Sequence, residues 1–356
     1  MFAVILAGGK GTRFWPFSRI EKPKQFLDIS GQGSMLSVTF DRCAALVPPE
    51  RIFLFTVAEQ VPLVRSELPG LPPENIFAEP AGRNTAPTLA VAASMASNRG
   101  GDEPVLCCPA DHLIREEETF GRLVKSAETI SANNDVLVTF GITPGFPATG
   151  YGYIEAGAPL EKQGDFEFSR VHRFHEKPDR AKAESYIQTG GFYWNSGIFM
   201  WRPSVFLEAW SRFIPEGTRP LEMISASFGT DGETQVIEEY YPQMPSISVD
   251  YGILEKAENV VVAPADLAWN DVGSWDALFE ILPLDDRGNT GKGDMELIDA
   301  GGNLFFNPGG VTAAIGVEDL IVVVNGGTVL VCRRGQSQRV RELIESLEKA
   351  QKADLL

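Results

Sequence analysis

Phe2-Ala3-Val4-Ile5-Leu6-Ala7-Gly8-Gly9-Lys10-Gly11-Thr12-Arg13 is the stretch that decides the fold. Phe2 to Leu6 is apolar without alternation, the pattern of a strand buried on both faces, as in parallel sheets. It runs into a glycine-rich turn, and such a turn gathers backbone N–H groups around one concavity that suits an anion. Gly8, Gly9 and Gly11 let a ligand approach the main chain closely. Between Met1 and Gln25 the charges are Lys10, Arg13, Arg19, Lys22 and Lys24 against Glu21, a net of +4 on a chain whose total is −17. A basic start on so acidic a chain points to a small polyanion, and a triphosphate fits.

Working outward, further strand-like runs lie at 52–57, 75–79, 105–108 and 136–140, with helical patterns at 85–98 and 116–131. This alternation predicts an α/β fold: a Rossmann-like mixed, mostly parallel sheet flanked by helices. Ligands on such sheets sit beyond the carboxyl ends of the strands, where Gly8–Arg13, 79–84 and Pro109-Ala110-Asp111-His112 fall. Strands are predicted at 151–155, 170–174 and 193–201, and helices at 181–188, 204–213 and 233–241. No linker sets them apart, so they are read as an extension of the same sheet, followed by a loop at 264–275. After about 284 the composition turns to Gly, Asp and Asn. Short strand-like runs follow at 304–306, 312–315, 320–324 and 329–332, then an amphipathic helix at 336–352. The expected organisation is a catalytic domain over 1–284 and a small β region with a terminal helix over 285–356.

A chain of 356 residues with 44% hydrophobic and 22% charged residues can bury a large core. Its net charge argues against nucleic acid and against anionic membrane surfaces as partners. No apolar stretch approaches the ~20 residues of a membrane span, and the short first apolar run precedes its positive charges, the reverse of a secretory signal. The four cysteines, Cys43, Cys107, Cys108 and Cys332, lack metal or redox spacing. Cys107 and Cys108 read as buried thiols. A cytoplasmic location is expected.

The glycine turn is neither a dinucleotide fingerprint nor a Walker A loop, because the third glycine of the one and the closing Gly-Lys-Ser/Thr of the other are missing. Asp111, at a strand's carboxyl end, suits Mg²⁺, and suits a helix cap or loop carboxylate equally well. Asp271, in Trp269-Asn270-Asp271-Val272-Gly273-Ser274-Trp275, carries the same two readings. Glu176-Lys177-Pro178, Asn195-Ser196-Gly197 and Asp250-Tyr251-Gly252 place polar groups among apolar ones. They either satisfy buried backbone or serve sugar hydroxyls. His112, His172 and His175 lack zinc spacing, and Ser18, Ser34 and Ser196 have no base to activate them. What remains is positioning and charge stabilisation, the needs of phosphoryl and nucleotidyl transfer.

Read together, these blocks resemble the sugar-1-phosphate nucleotidyltransferases. Leu6 to Arg19 with Lys22-Pro23-Lys24-Gln25-Phe26 is similar to the signature of the mannose-1-phosphate guanylyltransferases in particular. Glu79-Pro80-Ala81-Gly82-Arg83-Asn84-Thr85-Ala86-Pro87, Pro109-Ala110-Asp111-His112, Thr149-Gly150-Tyr151-Gly152-Tyr153-Ile154, Glu176-Lys177-Pro178, Asn195-Ser196-Gly197 and the 269–275 block follow in the family's order. Ala110 stands where many relatives carry Ser.

The resemblance implies GTP and mannose-1-phosphate as substrates, GDP-mannose and pyrophosphate as products, and Mg²⁺ as cofactor. It implies that Arg13, Lys24, Asp111 and Asp271 are catalytic, with Asp111 and Asp271 holding the metal. Leu6, Ala7, Gly8, Gly9, Gly11 and Thr12 would bind the nucleotide, Gly8, Gly9, Gly11 and Arg13 cradling its triphosphate, and Glu79, Asn84 and Thr85 would hold its base. Gly150, Glu176, Asn195 and Asp250 would bind the sugar and Lys177 its phosphate. It further implies the short form without a fused isomerase domain, a C-terminal β-helix-like segment, and a homodimer formed through that segment. The same chemistry on another hexose phosphate or nucleotide, and a non-catalytic nucleotide-sugar sensor, are the alternatives. The sensor is disfavoured because Arg13, Lys24, Asp111 and Asp271 are all present.

Overall fold

The computed structural model describes residues 1–9, 11–29, 31–352 and 355; Lys10 lies outside them. The chain packs as two compact units, each discontinuous in sequence. The first comprises Met1–Gly8, Thr39–Ala110 and Ile114–Trp269; the second comprises Gly9–Val38, Asp111–Leu113 and Asn270–Leu356.

The first unit is built on a nine-stranded sheet. Its strands are β1 (Phe2–Leu6), β2 (Ile52–Val57), β3 (Ile76–Glu79), β4 (Val105–Pro109), β5 (Leu137–Ile142), β6 (Tyr153–Gln163), β7 (Phe166–His175), β8 (Phe192–Trp201) and β9 (Val260–Ala265), in the order β3-β2-β1-β4-β8-β5-β9-β7-β6. β1 pairs in parallel with β2 and β4, β2 with β3, and β5 with β9. β8 enters antiparallel between β4 and β5, and β7 antiparallel against β9 and β6. The sheet is thus mixed and mostly parallel, and the strands after residue 150 extend it as expected.

Both faces are covered, which explains the unbroken apolar runs. On one face the helix Thr85–Gly100 buries every residue from Ala86 to Met95. It packs with Phe2, Val4, Phe53, Phe55, Val105, Cys107 and Leu137 in one core. Alanines dominate its sequence because small side chains let a helix lie close to a sheet. The helix Glu117–Asn133 instead carries an apolar stripe, Phe120, Leu123, Val124, Ala127 and Ile130, and its Phe120 ring meets Phe140 of β5 at 6.2 Å. Cys107 and Cys108 are buried free thiols, as is Cys43. Among the described residues, no helix is long and apolar enough to cross a membrane.

In the second unit, β10 (Thr290–Ile298), β11 (Leu304–Ile315), β12 (Leu320–Asn325) and β13 (Thr328–Arg333) form a sheet in sequence order. β10, β11 and β12 are parallel neighbours joined by short turns, and β13 closes antiparallel. Successive parallel strands without a crossover helix are the signature of a β-helix coil. Its corner is an asparagine ladder. Asn303 is fully buried and donates its side-chain amide to Asn289 Oδ1 at 2.9 Å, while its own Oδ1 accepts from Leu320 N at 2.9 Å. Asn289 Nδ2 donates to the Ala300 carbonyl at 3.0 Å. Each coil therefore satisfies the next one's turn, where an unpaired buried amide would cost about 1–3 kcal/mol. Leu304, Phe306, Ile321, Val323 and Leu330 join Phe14, Trp15 and Trp275 in this unit's core. The terminal helix is Val340–Lys349, shorter than the expected 336–352, and follows a turn of 3-10 helix over Ser337–Arg339.

Candidate functional site

The predicted site residues divide between the units. Leu6, Ala7, Gly8, Glu79, Asn84, Thr85, Gly150, Glu176, Lys177, Asn195 and Asp250 belong to the first; Gly9, Gly11, Thr12, Arg13, Lys24, Asp111 and Asp271 belong to the second.

In the second unit the glycine turn is shaped by Lys24. Gly11 has φ 56°, and a Cβ on it would lie 2.5 Å from both the backbone nitrogen and the Cβ of Lys24. Glycine is required here twice over, by conformation and by space. Gln25 Nε2 donates to the Gly9 carbonyl at 3.2 Å. Thr12 then begins the 3-10 turn Thr12–Phe14. Arg13 is exposed and donates to Gln338 Oε1 at 3.2 Å, and Trp15 Nε1 donates to the Leu355 carbonyl at 2.7 Å, so the C-terminal segment backs the turn.

The Lys24 ammonium is the centre of this cluster. It is 2.9 Å from Asp111 Oδ2 and 2.6 Å from the Asp271 carbonyl, so a carboxylate and a backbone carbonyl from residues 160 positions apart in sequence meet at one cation. Burial pushes the Asp111 carboxyl up, but Lys24 and His112 outweigh it and hold the group below its ordinary value. The turn bearing Asp271 is held from its flanks. Val272, a β-branched residue at φ 47°, is kept in that rare conformation by its N–H donating to Asn270 Oδ1 at 2.7 Å. Asn270 in turn donates to Glu280 Oε2 at 2.9 Å and pairs its backbone with Leu113. Burial, followed by the charge of Asp271, raises the Glu280 carboxyl.

No group of three or more His, Cys, Asp or Glu side chains fit for a metal occurs among the described residues. Mg²⁺, however, usually takes one or two carboxylates and completes its shell with water and substrate phosphates. Asp111 and Asp271 are of that kind, and the ammonium of Lys24 already rests against both residues, so positive charge is stable there.

In the first unit, Leu6 and Ala7 are committed to the sheet. Leu6 O accepts from Ala110 N at 2.9 Å, and Ala7 N donates to Phe55 O at 2.8 Å. A Cβ on Gly8 would lie 2.8 Å from Glu79 Oε2, so the carboxylate reaches the start of the turn. Glu79 is 6% exposed, and burial raises its carboxyl despite donors from Thr88 and Tyr241. Asn84 caps the helix Thr85–Gly100, its Oδ1 accepting from Thr85 N at 2.9 Å. Thr85 Oγ1 accepts from Val249 N at 2.9 Å, which ties the base segment to the neighbour of Asp250.

Asn195, Asp250, Glu176 and Lys177 come together. Asn195 Nδ2 donates to Asp250 Oδ1 at 2.7 Å, and Lys177 pairs with Glu176. Burial raises Asp250; Asn195 offsets part of this, Glu176 adds to it and Lys177 opposes it. The glycine built into this cluster is Gly152, where a Cβ would lie 2.9 Å from Glu176 Oε2; Gly150 is exposed with nothing within 4 Å of its own Cβ position. His175 bridges Glu155 at 2.9 Å and the Tyr186 hydroxyl at 3.2 Å just before Glu176.

Sequence reasoning missed Tyr241, Thr88, Asn270, Glu280, Gln338 and Gly152 as supporting residues. Gly152 and Asn270 lay inside quoted motifs and were within reach. The others carry no periodic or motif signal.

A family model described as "Nucleotidyl transferase" matches residues 2–287. The chain belongs to the nucleotidyl transferase family. A second model, "MannoseP isomerase/GMP-like beta-helix domain", matches 294–347. This nucleotidyl transferase chain is 38% identical over 368 residues to mannose-1-phosphate guanylyltransferase 2 of Escherichia coli O157:H7, covering 100% of the chain and 75% of that protein. It is 39% identical over 361 residues to a mannose-1-phosphate guanylyltransferase of Klebsiella pneumoniae, covering 99% of the chain and 75% of that protein. A crystal structure from Thermus thermophilus, described as a mannose-1-phosphate geranyltransferase, superposes with TM-score 0.87 at 34% identity, covering 98% of this chain and 99% of that one. Within the family the chain groups with the mannose-1-phosphate guanylyltransferases.

Proposed function

We propose that this enzyme transfers GMP from GTP to mannose-1-phosphate, giving GDP-mannose and pyrophosphate. The observation that carries the reading is Lys24, whose ammonium is shared by Asp111 and Asp271 beside the glycine turn. A cation held by the Asp111 carboxylate and the Asp271 backbone carbonyl, beside the glycine turn and Arg13, suits a chain of phosphates. The relatives' names favour guanylyl transfer, and the matched nucleotidyl transferase model favours it over transfer of a geranyl group.

In this reading the turn 6–12 and Arg13 cradle the triphosphate, and Lys24 lies against the reacting phosphates. Glu79, Asn84 and Thr85 hold guanine. Gly150, Glu176, Asn195 and Asp250 hold the mannose, with Lys177 on its phosphate. The sugar-phosphate oxygen attacks the α-phosphorus of GTP in line; that P–O bond forms as the bond to the pyrophosphate oxygen breaks. Asp111 and Asp271 would hold Mg²⁺, which when bound supplies charge neutralisation on the phosphates. No protein nucleophile takes part.

The same reading includes a homodimer through the C-terminal β segment. Ile298, Val311, Ile315, Val329 and Val331 of that sheet are 56–70% exposed, an apolar surface that a second copy would cover.

Pyrophosphate release measured over a panel of nucleoside triphosphates and hexose-1-phosphates, with and without Mg²⁺, tests the reading. The expected best pair is GTP with mannose-1-phosphate, active only with the metal. Absence of turnover with every pair would refute the enzymatic reading, and preference for UTP or glucose-1-phosphate would refute the specificity.

A further inference from the structure

Glu79 is built so that its two carboxylate oxygens have different tasks. Oε1 accepts from Thr88 Oγ1 at 2.5 Å and from the Tyr241 hydroxyl. Oε2 is the oxygen that lies 2.8 Å from the Cβ position of Gly8, so it faces a residue that has no side chain. The two donors come from separate places: Thr88 from the first turn of the helix Thr85–Gly100, Tyr241 from the 3-10 turn Tyr241–Gln243. Tyr241 is fully buried. Burial and the charge of Glu79 raise its phenol well above the ordinary value, so it remains a donor. Arg83 donates to the Pro242 carbonyl and pins the same turn to the base segment.

We propose that Thr88 and Tyr241 are positioning residues that set nucleotide selection by orienting Glu79. By holding Oε1, they fix the carboxylate plane and reserve Oε2 as an acceptor. Guanine presents adjacent N–H donors, N1–H and the 2-amino group, on the edge where adenine presents an acceptor nitrogen. A fixed carboxylate oxygen therefore accepts from guanine and meets an adenine acceptor with repulsion. A carboxylate free to rotate, or to turn its protonated oxygen outward, would lose that discrimination. The inference rests on the proposed role of Glu79 in binding the base.

The test is the ratio of kcat/KM for GTP to that for ATP, with mannose-1-phosphate as acceptor. Tyr241→Phe and Thr88→Val are each expected to lower the ratio about tenfold, mainly through KM for GTP, the effect of one hydrogen bond to a charged group. Thr88→Ser, which keeps the hydroxyl, is expected to restore it. Thr88→Val keeps the test open should Tyr241→Phe fail to fold. If Glu79→Gln lowers the ratio while both donor variants leave it unchanged, the positioning role is overturned and base binding stands. If Glu79→Gln also leaves it unchanged, the reading of the base site falls with it. Lower melting temperatures at an unchanged ratio would mark Thr88 and Tyr241 as structural only and overturn the inference.

Discussion

In the first unit, Glu79 and Asp250 are held by neutral donors, the hydroxyls of Thr88 and Tyr241 and the amide of Asn195, and burial leaves both carboxyls raised. In the second, Asp111 meets the Lys24 ammonium, and its carboxyl is lowered in spite of burial. The same functional group is thus tuned in opposite directions. Acids held by neutral donors suit uncharged ligand groups, the N–H edge of a base or sugar hydroxyls, without drawing in stray cations. Acids paired with an ammonium suit phosphates and a metal, where charge must be balanced at every stage.

Asp271→Asn strikes hardest at the charged side. It removes one proposed metal charge yet leaves the backbone carbonyl that accepts from Lys24. Turnover is expected to fall about a thousandfold or more, as when a preorganised electrostatic group is lost, with the melting temperature almost unchanged. Near-normal pyrophosphate release would remove Asp271 from the metal site.

Gly11→Ala comes next, since it places a methyl 2.5 Å from the Lys24 backbone at φ 56°. A stability loss of about 1–3 kcal/mol in urea unfolding is expected, with turnover down about a hundredfold. Full activity would mean that the turn does not position Lys24.

On the neutral side, Asn195→Ala removes the donor to Asp250. It should raise KM for mannose-1-phosphate about tenfold while leaving KM for GTP within about twofold. Equal changes in both constants would break the division of labour between sugar and nucleotide groups.

A smaller effect follows from pH. Glu79 and Asp250 are raised from ordinary values of 4.5 and 3.8, so the native state holds their protons more tightly than the unfolded chain. The stability they contribute is full below those values and is lost as pH rises through the raised ones. Asp111 is lowered from 3.8, so its contribution is full above that value and is lost as pH falls through the lowered one. Unfolding midpoints against pH should show Asp250→Asn flattening the first limb and Asp111→Asn flattening the acid limb. The reverse assignment would contradict the comparison. The smallest kinetic effect is expected from Ile315→Glu on the exposed β face: light scattering should show half the wild-type mass, with kcat changed less than about twofold.

Legibility follows burial. β1, β2 and β4 are readable because strands covered on both faces leave unbroken apolar runs, whereas the edge strand β3, with Ala78 exposed, shows only the short run Ile76-Phe77-Ala78. The helical patterns at 85–98 and 116–131 end within two residues of the observed helices. β10 has no strand reading because most of its nine residues are exposed or half-buried and it opens Thr290-Gly291-Lys292-Gly293-Asp294. β11 reads as two short runs because Asn307-Pro308-Gly309-Gly310 lies inside it. β9 has no separate reading, and its Pro264 falls into the predicted loop that follows.

The sequence by itself determined the strand that ends in the glycine turn, the basic set around it, and the ordered blocks that identify the family. These are local properties, carried by composition, turn chemistry and spacing. Tertiary structure alone decided that β8 runs antiparallel between β4 and β5. It alone decided that Lys24 joins Asp111 to Asp271, and that Tyr241, 162 positions from Glu79, holds one oxygen of that acid. Such pairings depend on which distant segments the core brings together, and a buried hydroxyl or amide that finds its partner across the chain leaves no period in the sequence.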